Sequence, residues 1–197
     1  MNTKYLSEFL GTFLLTSCVV GSGIMAENLS NGNLALALLA NTIATGAILF
    51  VIIKMFSQTS GAHFNPVVSF IFFLKRELGK NDLVYYVAIQ IISALLAITL
   101  THYLFDLSLF QISKNHRGEL NMFISEAIAT FGLVLTILLV RENDETSVAL
   151  SVAFYIMAGY WFTPSTSFAN PAVLIGRVFT ATFTGIAPSS FLFFLFG

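Results

Sequence analysis

Two Asn-Pro pairs are the positions in this sequence where polar side chains could meet a passing molecule. Asn65-Pro66 and Asn170-Pro171 each open a short apolar segment. Asparagine is a good N-cap and proline suits the first helical turn, so each pair predicts a helix start. An amide NH₂ group at a helix N-terminus can donate to a neutral molecule, and the helix dipole there repels cations. The pairs indicate a conduction site, unless they are helix caps with no pore between them.

Two acidic residues, Glu8 and Glu126, lie within apolar runs of the chain. A carboxylate in hydrocarbon is costly, so each should face the protein interior. One interpretation is a proton relay. The other is a brace, in which each carboxylate accepts hydrogen bonds from loop backbone. We favour the brace, because both acids occupy the same position in a repeat and neither has a basic partner nearby in sequence.

Catalytic and metal-binding patterns are not visible in the sequence. His63, His102 and His116 lie far apart and do not have the H-E-x-x-H spacing of a metal site. The single cysteine, Cys18, excludes a disulfide framework within one chain. No nucleophile elbow or phosphate loop is present, and the net charge of −1 gives no reason to expect nucleic acid. We therefore expect neither an enzyme nor a cofactor.

Composition places the chain in a lipid bilayer. Hydrophobic residues make up 56% of it and charged residues only 10%, whereas a soluble domain has about 25% charged residues. The apolar stretch after Lys4 could be a cleaved signal peptide. Glu8 interrupts that stretch and no A-x-A site follows it, so we favour a retained first span.

Apolar runs predict the number of spans, since a spanning helix needs about 20 apolar residues. The runs are 6–25, 34–56, 83–104 and 121–140, with a shorter fifth run at 147–163. A sixth begins near Ala187 and stops at Gly197, so we expect that span to be incomplete, as in a truncated chain. The segments 65–74 and 170–179 are each half as long as a span requires. They predict two half-helices that meet at the bilayer midplane.

The two halves of the chain resemble each other. The matched stretches are "SEFLGTF" (7–13) with "SEAIATF" (125–131), and "SGAHFNPVV" (60–68) with "STSFANPAV" (165–173). Three spans precede the second copy, so the copies must run in opposite directions across the membrane. We therefore expect one channel domain, 1–197, built from inverted repeats at about 1–104 and 119–197. Such repeats place a site between broken helices at the midplane.

Loop charges predict the orientation, because cytoplasmic loops carry an excess of Lys and Arg. With the N-terminus inside, the inner residues are Lys4, Lys54, Lys75, Arg76, Lys80 and Arg141, and the outer ones are Lys114, Arg117 and Arg177. We expect a multi-pass protein of the inner cell membrane with a cytoplasmic N-terminus.

These motifs resemble the aquaporin and glycerol-facilitator family, the major intrinsic proteins. The matching stretches cover nearly the whole chain, although the first turn is Asn-Pro-Val where the family has Asn-Pro-Ala. The resemblance implies an all-α, aquaporin-like bundle of six spans plus two re-entrant half-helices, a homotetramer of separately conducting protomers, and no cofactor. It also implies that Asn65 and Asn170 lie in mid-pore and that Glu8 and Glu126 brace the loops.

The resemblance also implies a selectivity filter on the outer side of the asparagines. Spacing from the two Asn residues places its four positions at Thr45, Ala158, Ser167 and Val173. The usual water-selective pattern has an aromatic residue, a histidine, a small residue and an arginine. Here Val173 stands where the family has arginine. We expect a wider, less polar constriction without that fixed positive charge.

Two further residues lie close to the Asn-Pro turns. His63 could line a pore mouth or pack within its loop. Arg177 lies seven residues after Asn170, about 10 Å farther along the half-helix. It could line the outer vestibule, but we favour a side chain that snorkels to the membrane interface.

A narrower resemblance suggests the solutes. Thr45, "STSFANPAV" and the missing arginine look most like bacterial members associated with arsenic resistance. They suggest a passive channel for glycerol-like polyols, neutral metalloid acids such as arsenous acid, and water. The alternatives are a channel mainly for water and a non-conducting membrane structural protein.

Overall fold

Long apolar helices form the frame of the computed structural model, which describes residues 2–197. The helices are α1 (Thr3–Leu29), α2 (Leu34–Ser60), α3 (Pro66–Leu74), α4 (Lys80–Leu104), α5 (Leu120–Asn143), α6 (Val148–Phe162), α7 (Pro171–Val178) and α8 (Phe191–Leu195). Four of them, α1, α2, α4 and α5, are long and apolar enough to cross a membrane. The four long runs of the sequence are therefore confirmed as helices.

The remaining two expected spans are shorter. Helix α6 has 15 residues and follows a 3₁₀ turn at Glu145–Ser147, in the region of the fifth apolar run. In the region of the expected sixth span, the structure has a 3₁₀ turn at Pro188–Ser190 and the five-residue helix α8. Within residues 2–197 no strand is present.

The two half-helices begin at the proline of each Asn-Pro pair, as the sequence predicts. Helix α3 has nine residues and α7 has eight, and the two helices contact each other. Each is too short to cross a bilayer alone, since eight or nine residues rise only about 12–14 Å. Their placement puts two helix N-termini in the middle of the bundle.

Packing of the long helices around α3 and α7 defines two ends of the bundle. Helix α1 packs on α2 and α4, α2 packs on α6, α5 packs on α6, and α4 packs on α7. At the Arg141 end, Lys4 pairs with Asp82 at 2.8 Å and Arg141 pairs with Glu77 at 2.5 Å. At the opposite, Thr184 end, the backbone N–H of Phe183 donates to Glu27.

Leucines on the outside of α1 show which surface meets lipid. Leu6, Leu10 and Leu14 are four residues apart and all are exposed. This spacing puts them on one face of the helix. The opposite face carries small and polar residues such as Gly11 and Thr12, both buried. The bundle is therefore apolar outside and partly polar inside, the reverse of a soluble protein.

A close contact between α1 and the first re-entrant loop positions that loop. A methyl group added at Gly11 would lie 2.0 Å from the ring of Phe64. Phe64 is 2% exposed, and its φ of 49° lies in the left-handed region that a phenylalanine adopts only under strain. Only glycine at position 11 lets the ring lie there.

We predict that Gly11→Ala destabilises the fold. The methyl group would force the rigid Phe64 ring out of a filled site, at a cost of about 1–3 kcal/mol. Gly21→Ala is the matched control in the same helix, because its added methyl would meet the nearest side chain at 3.4 Å, an ordinary contact. Thermal unfolding in detergent measures both. Equal melting temperatures for the two variants would show that the Phe64 contact does not constrain the loop.

Candidate functional site

The two asparagines of the Asn-Pro pairs bind each other's loops. The Asn65 amide donates to the Ala169 carbonyl at 2.6 Å, and the Asn170 amide donates to the Phe64 carbonyl at 2.9 Å. Each side-chain oxygen also caps its own half-helix, accepting from Val67 N–H at 2.9 Å and from Ala172 N–H at 3.1 Å. Both side chains line one central cavity. An amide has two N–H donors, so each asparagine retains one for a molecule in the cavity.

Backbone next to each asparagine lies in the left-handed region. In the first loop the φ angles are 52° at Ala62 and 49° at Phe64, and in the second they are 63° at Thr166, 48° at Ser167 and 45° at Ala169. Non-glycine residues in this region persist only where surrounding contacts hold them. The two loops must therefore be fixed by neighbouring side chains.

Glu8 holds the first loop. Its Oε1 accepts from Ser60 Oγ at 2.7 Å and from His63 N–H at 2.9 Å. Its Oε2 accepts from Phe64 N–H at 2.7 Å and from Gln90 Nε2 at 2.8 Å. The carboxylate is completely buried. These four bonds favour the brace over the proton relay, because both oxygens are occupied by loop and helix donors.

Glu126 holds the second loop in the same way. Its Oε1 accepts from Phe168 N–H at 3.0 Å and its Oε2 from Ala169 N–H at 2.8 Å. The neighbouring Ser125 hydroxyl donates to Ser165 Oγ at 2.8 Å. Each half of the chain thus uses one glutamate to bind two consecutive backbone N–H groups just before its asparagine.

The central cavity has a volume of 510 Å³ and is lined by both asparagines. At the Arg141 end its lining includes Lys54, Gln58 and Arg141 itself. Apolar side chains of α1, α2, α5 and α6 form much of its wall. They are Leu15, Val19, Leu49, Ile53, Leu133, Ile137, Val148, Ala149, Val152 and Ile156. The two asparagine amides beside this apolar wall suit a small molecule that carries its own hydroxyl groups.

Three of the four filter positions predicted by spacing lie on this cavity. Thr45, Ser167 and Val173 are buried and line it. Ser167 Oγ is buried against Gly159 and has no hydrogen-bond partner among the described residues. No charged group is present at these three positions.

The prediction for Ala158 is wrong. Ala158 is exposed on the outside of α6, whereas Gly159 is buried and a methyl group added there would lie 2.7 Å from Ser167. Counting back from Asn170 crosses a loop with left-handed residues, and such a count does not fix the face of the preceding helix. A glycine in the last turn of an apolar helix was the available signal for a close approach.

Sequence reasoning also missed Tyr160. Its hydroxyl lies 3.3 Å from Thr45 Oγ1, and both residues line the cavity. A buried tyrosine usually finds a partner for its hydroxyl, so a tyrosine within an apolar helix was the signal that a polar group lay opposite.

His63 and Arg177 both line the cavity. The His63 ring is buried, with Nδ1 3.1 Å from Ser69 Oγ and its face against Phe72. Arg177 is only 4% exposed, so the predicted snorkelling of this side chain to the membrane interface is wrong. Its guanidinium carbon lies 3.4 Å from the centre of the Phe168 ring, and its Nε donates to the Thr184 carbonyl. These contacts hold the charge inside the bundle.

We predict that Glu8→Gln and Glu126→Gln destabilise the protein. Each carboxylate oxygen accepts one backbone N–H, so either orientation of a glutamine amide would point its NH₂ group at a buried N–H. An unsatisfied buried donor costs about 1–3 kcal/mol. The matched control is Glu27→Gln, an exposed acid on α1 with one bond, from Phe183 N–H, which a glutamine oxygen can keep.

Thermal unfolding in detergent measures the three variants. We expect lower melting temperatures for the two buried substitutions and an unchanged one for Glu27→Gln. Wild-type stability in Glu8→Gln would mean that the loop does not depend on its charge.

Comparison with known proteins places this architecture in a family. Residues 1–187 match the family model for the major intrinsic proteins. The chain is 48% identical to "Aquaglyceroporin AqpS" of Rhizobium meliloti (strain 1021) over 95% of this chain and 80% of that protein. It is 29% identical to "Glycerol uptake facilitator protein-like 6" of Lactiplantibacillus plantarum, over 88% of this chain and 82% of that one.

A solved structure shares the fold. The aquaglyceroporin from Plasmodium falciparum superposes with a TM-score of 0.66 at 23% identity, covering 87% of this chain and 79% of that one. The expected aquaporin-like, all-helical fold is therefore confirmed. The chain belongs to the major intrinsic protein family, whose members are membrane channels and not enzymes.

Proposed function

We propose that this protein is a passive membrane channel for small neutral solutes of the glycerol type. The observation that carries the proposal is the reciprocal pair Asn65 and Asn170, which line one cavity at the meeting point of two half-helices. The positive ends of both helix dipoles face that point and oppose cations there. The amide donors remain available to hydroxyl oxygens. The two relatives named as an aquaglyceroporin and a glycerol facilitator support the same assignment.

The residues around the constriction favour solutes larger than water. Thr45, Ser167 and Val173 line the cavity and are uncharged and of small or medium size, and Gly159 leaves room for Ser167 behind them. The hydroxyl groups of the Thr45–Tyr160 pair provide polar contacts on an otherwise apolar ring. Such a ring fits a compact molecule with several hydroxyls. We infer that arsenous acid, which is neutral at pH 7 and has three hydroxyl groups, passes together with glycerol and water.

Stopped-flow swelling of proteoliposomes tests the main proposal. We expect glycerol to enter protein-containing vesicles much faster than empty ones, and arsenous acid to follow. A channel mainly for water would raise water permeability without glycerol entry. A non-conducting structural protein would raise neither flux.

We predict that Val173→Arg lowers the ratio of glycerol to water permeability by about tenfold, because an arginine would narrow and charge the constriction. The matched control is Ala158→Val, a substitution on the exposed face of α6 that should leave both permeabilities unchanged. The same swelling assay measures both variants. An unchanged ratio in Val173→Arg would remove Val173 from the constriction.

We further propose that the Arg141 end faces the cytoplasm of an inner cell membrane. The basic residues Lys4, Lys54, Lys75, Arg76, Lys80 and Arg141 all belong to helix ends or loops on that side. Arg177 is buried, so it no longer counts among the outer charges and the excess of basic residues at the Arg141 end is larger than the sequence suggested. The positive-inside rule then favours a cytoplasmic N-terminus.

Cysteine labelling in intact cells tests this orientation. We predict that an impermeant maleimide labels Lys114→Cys, in the loop before α5 at the Thr184 end, and does not label Lys80→Cys at the other end. A Cys18→Ser background removes the natural thiol and is the control. The reverse labelling pattern would invert the proposed topology.

A homotetramer is the assembly that we propose from the family resemblance. Large apolar side chains remain exposed along α1 and α2, including Leu36, Leu39 and Ile43. These faces can contact lipid or neighbouring protomers. Mass measurement of the detergent-solubilised protein would decide whether four copies associate.

A further inference from the structure

We propose that Arg177 is the charge-selecting residue of this pore and supplies, from one turn farther along α7, the positive charge that Val173 lacks. This inference rests on the proposed channel function and adds a specificity-determining residue to it. It makes the filter cationic where the sequence alone predicts a neutral one.

The register of α7 puts Arg177 on the pore face. Val173 and Arg177 are four residues apart, so their side chains lie one above the other on the same side of the helix. Val173 lines the cavity, and Arg177 lines it too. Side chains on a helix lean back toward its N-terminus. A long arginine side chain at position 177 therefore reaches back toward the level of Val173.

Phe168 shows how far the side chain reaches. This residue precedes α7 by three positions, yet its ring lies under the Arg177 guanidinium at 3.4 Å from the ring centre. The Phe168 ring also packs in one buried cluster with Leu174 and Val178 of α7, so the charged group lies inside the bundle beside α7.

Arg177 also marks one limit of the cavity. No described residue of 105–119 or 178–197, the segments that cover the Thr184 end, lines the cavity. Among the described residues, the one hydrogen bond of the guanidinium is from Nε to the Thr184 carbonyl. Its other four N–H donors are free to bind water or a solute hydroxyl. Arg177 is therefore a buried, fixed cation at the limit of the cavity nearest the Thr184 end.

Neighbouring charges leave this cation only partly compensated. The ionisable groups that interact with it are Tyr160, Arg117 and Glu126. Both Glu126 oxygens already accept backbone N–H groups of the second loop. Arg117 also lies near this ring, with its guanidinium 5.6 Å from the ring centre, but it does not line the cavity, so Arg177 is the cation that faces the cavity on α7. Cations should be repelled here, while neutral hydroxyl compounds can accept hydrogen bonds.

The test compares entry of guanidinium, a small planar cation, with entry of glycerol, a small neutral solute. Proteoliposomes loaded with K⁺ and treated with valinomycin allow guanidinium entry without a build-up of charge. Glycerol influx in the same vesicles reports whether each variant forms an open channel. We expect wild-type protein to pass glycerol and to exclude guanidinium.

Two neutral variants, Arg177→Gln and Arg177→Met, should raise guanidinium entry relative to glycerol by about tenfold or more, because the fixed charge that opposes cations is gone. Arg177→Met keeps an apolar stem over Phe168 and guards against failure of the other variant to fold. Arg117→Gln is the matched control. It removes an arginine from the same aromatic ring without touching the cavity lining, and it should exclude guanidinium like the wild type.

The double variant Val173→Arg with Arg177→Gln moves the charge back by one turn of α7 and should lower the guanidinium flux itself to the wild-type level. A purely structural arginine would instead lower thermal stability in both neutral variants without changing the guanidinium-to-glycerol ratio, and that result would overturn the inference. Absence of glycerol entry in the wild type would reject the proposed channel function itself, which is a different outcome.

Discussion

The structure depends on how two loops at membrane depth satisfy their backbone hydrogen bonds. Lipid offers no partner to a free N–H group, so non-helical backbone within the bundle must find one inside the protein. Glu8 and Glu126 provide those partners, each binding two consecutive N–H groups with its two oxygens. A neutral side chain has only one such oxygen. The need for buried carboxylates follows from this geometry, even though a charge within a bilayer is costly.

Once the loops are fixed, the asparagines have little freedom. Each caps its own half-helix and donates across the midplane to the other loop. The two halves of the chain therefore hold each other's loops in place. The left-handed residues on both sides, such as Phe64 and Ala169, are held by the same contacts. Opposed helix dipoles and two free amide donors are the consequence. The part of the molecule that would meet a solute is thus produced by the same bonds that stabilise the fold.

The sequence predicted what depends on local chemistry and missed what depends on the direction of side chains. Pro66 and Pro171 marked the first residues of α3 and α7, because proline and an asparagine cap specify a helix start locally. Ala158 was wrong because a count across a strained loop does not fix the face of the preceding helix. Arg177 was misplaced because its position was measured along the backbone. The side chain instead turns into the bundle, onto the Phe168 ring and the Thr184 carbonyl.

Selection by size and selection by charge need not come from one residue. An arginine at position 173 would narrow the constriction and charge it together. Here the uncharged Val173 lines the cavity, and the buried Arg177 lies one turn away on the same face of α7. If size and charge are selected by different residues, a ring wide enough for a polyol can lie next to a fixed cation. A channel for bulky neutral hydroxyl compounds has this requirement, since widening the pore would otherwise also admit cations.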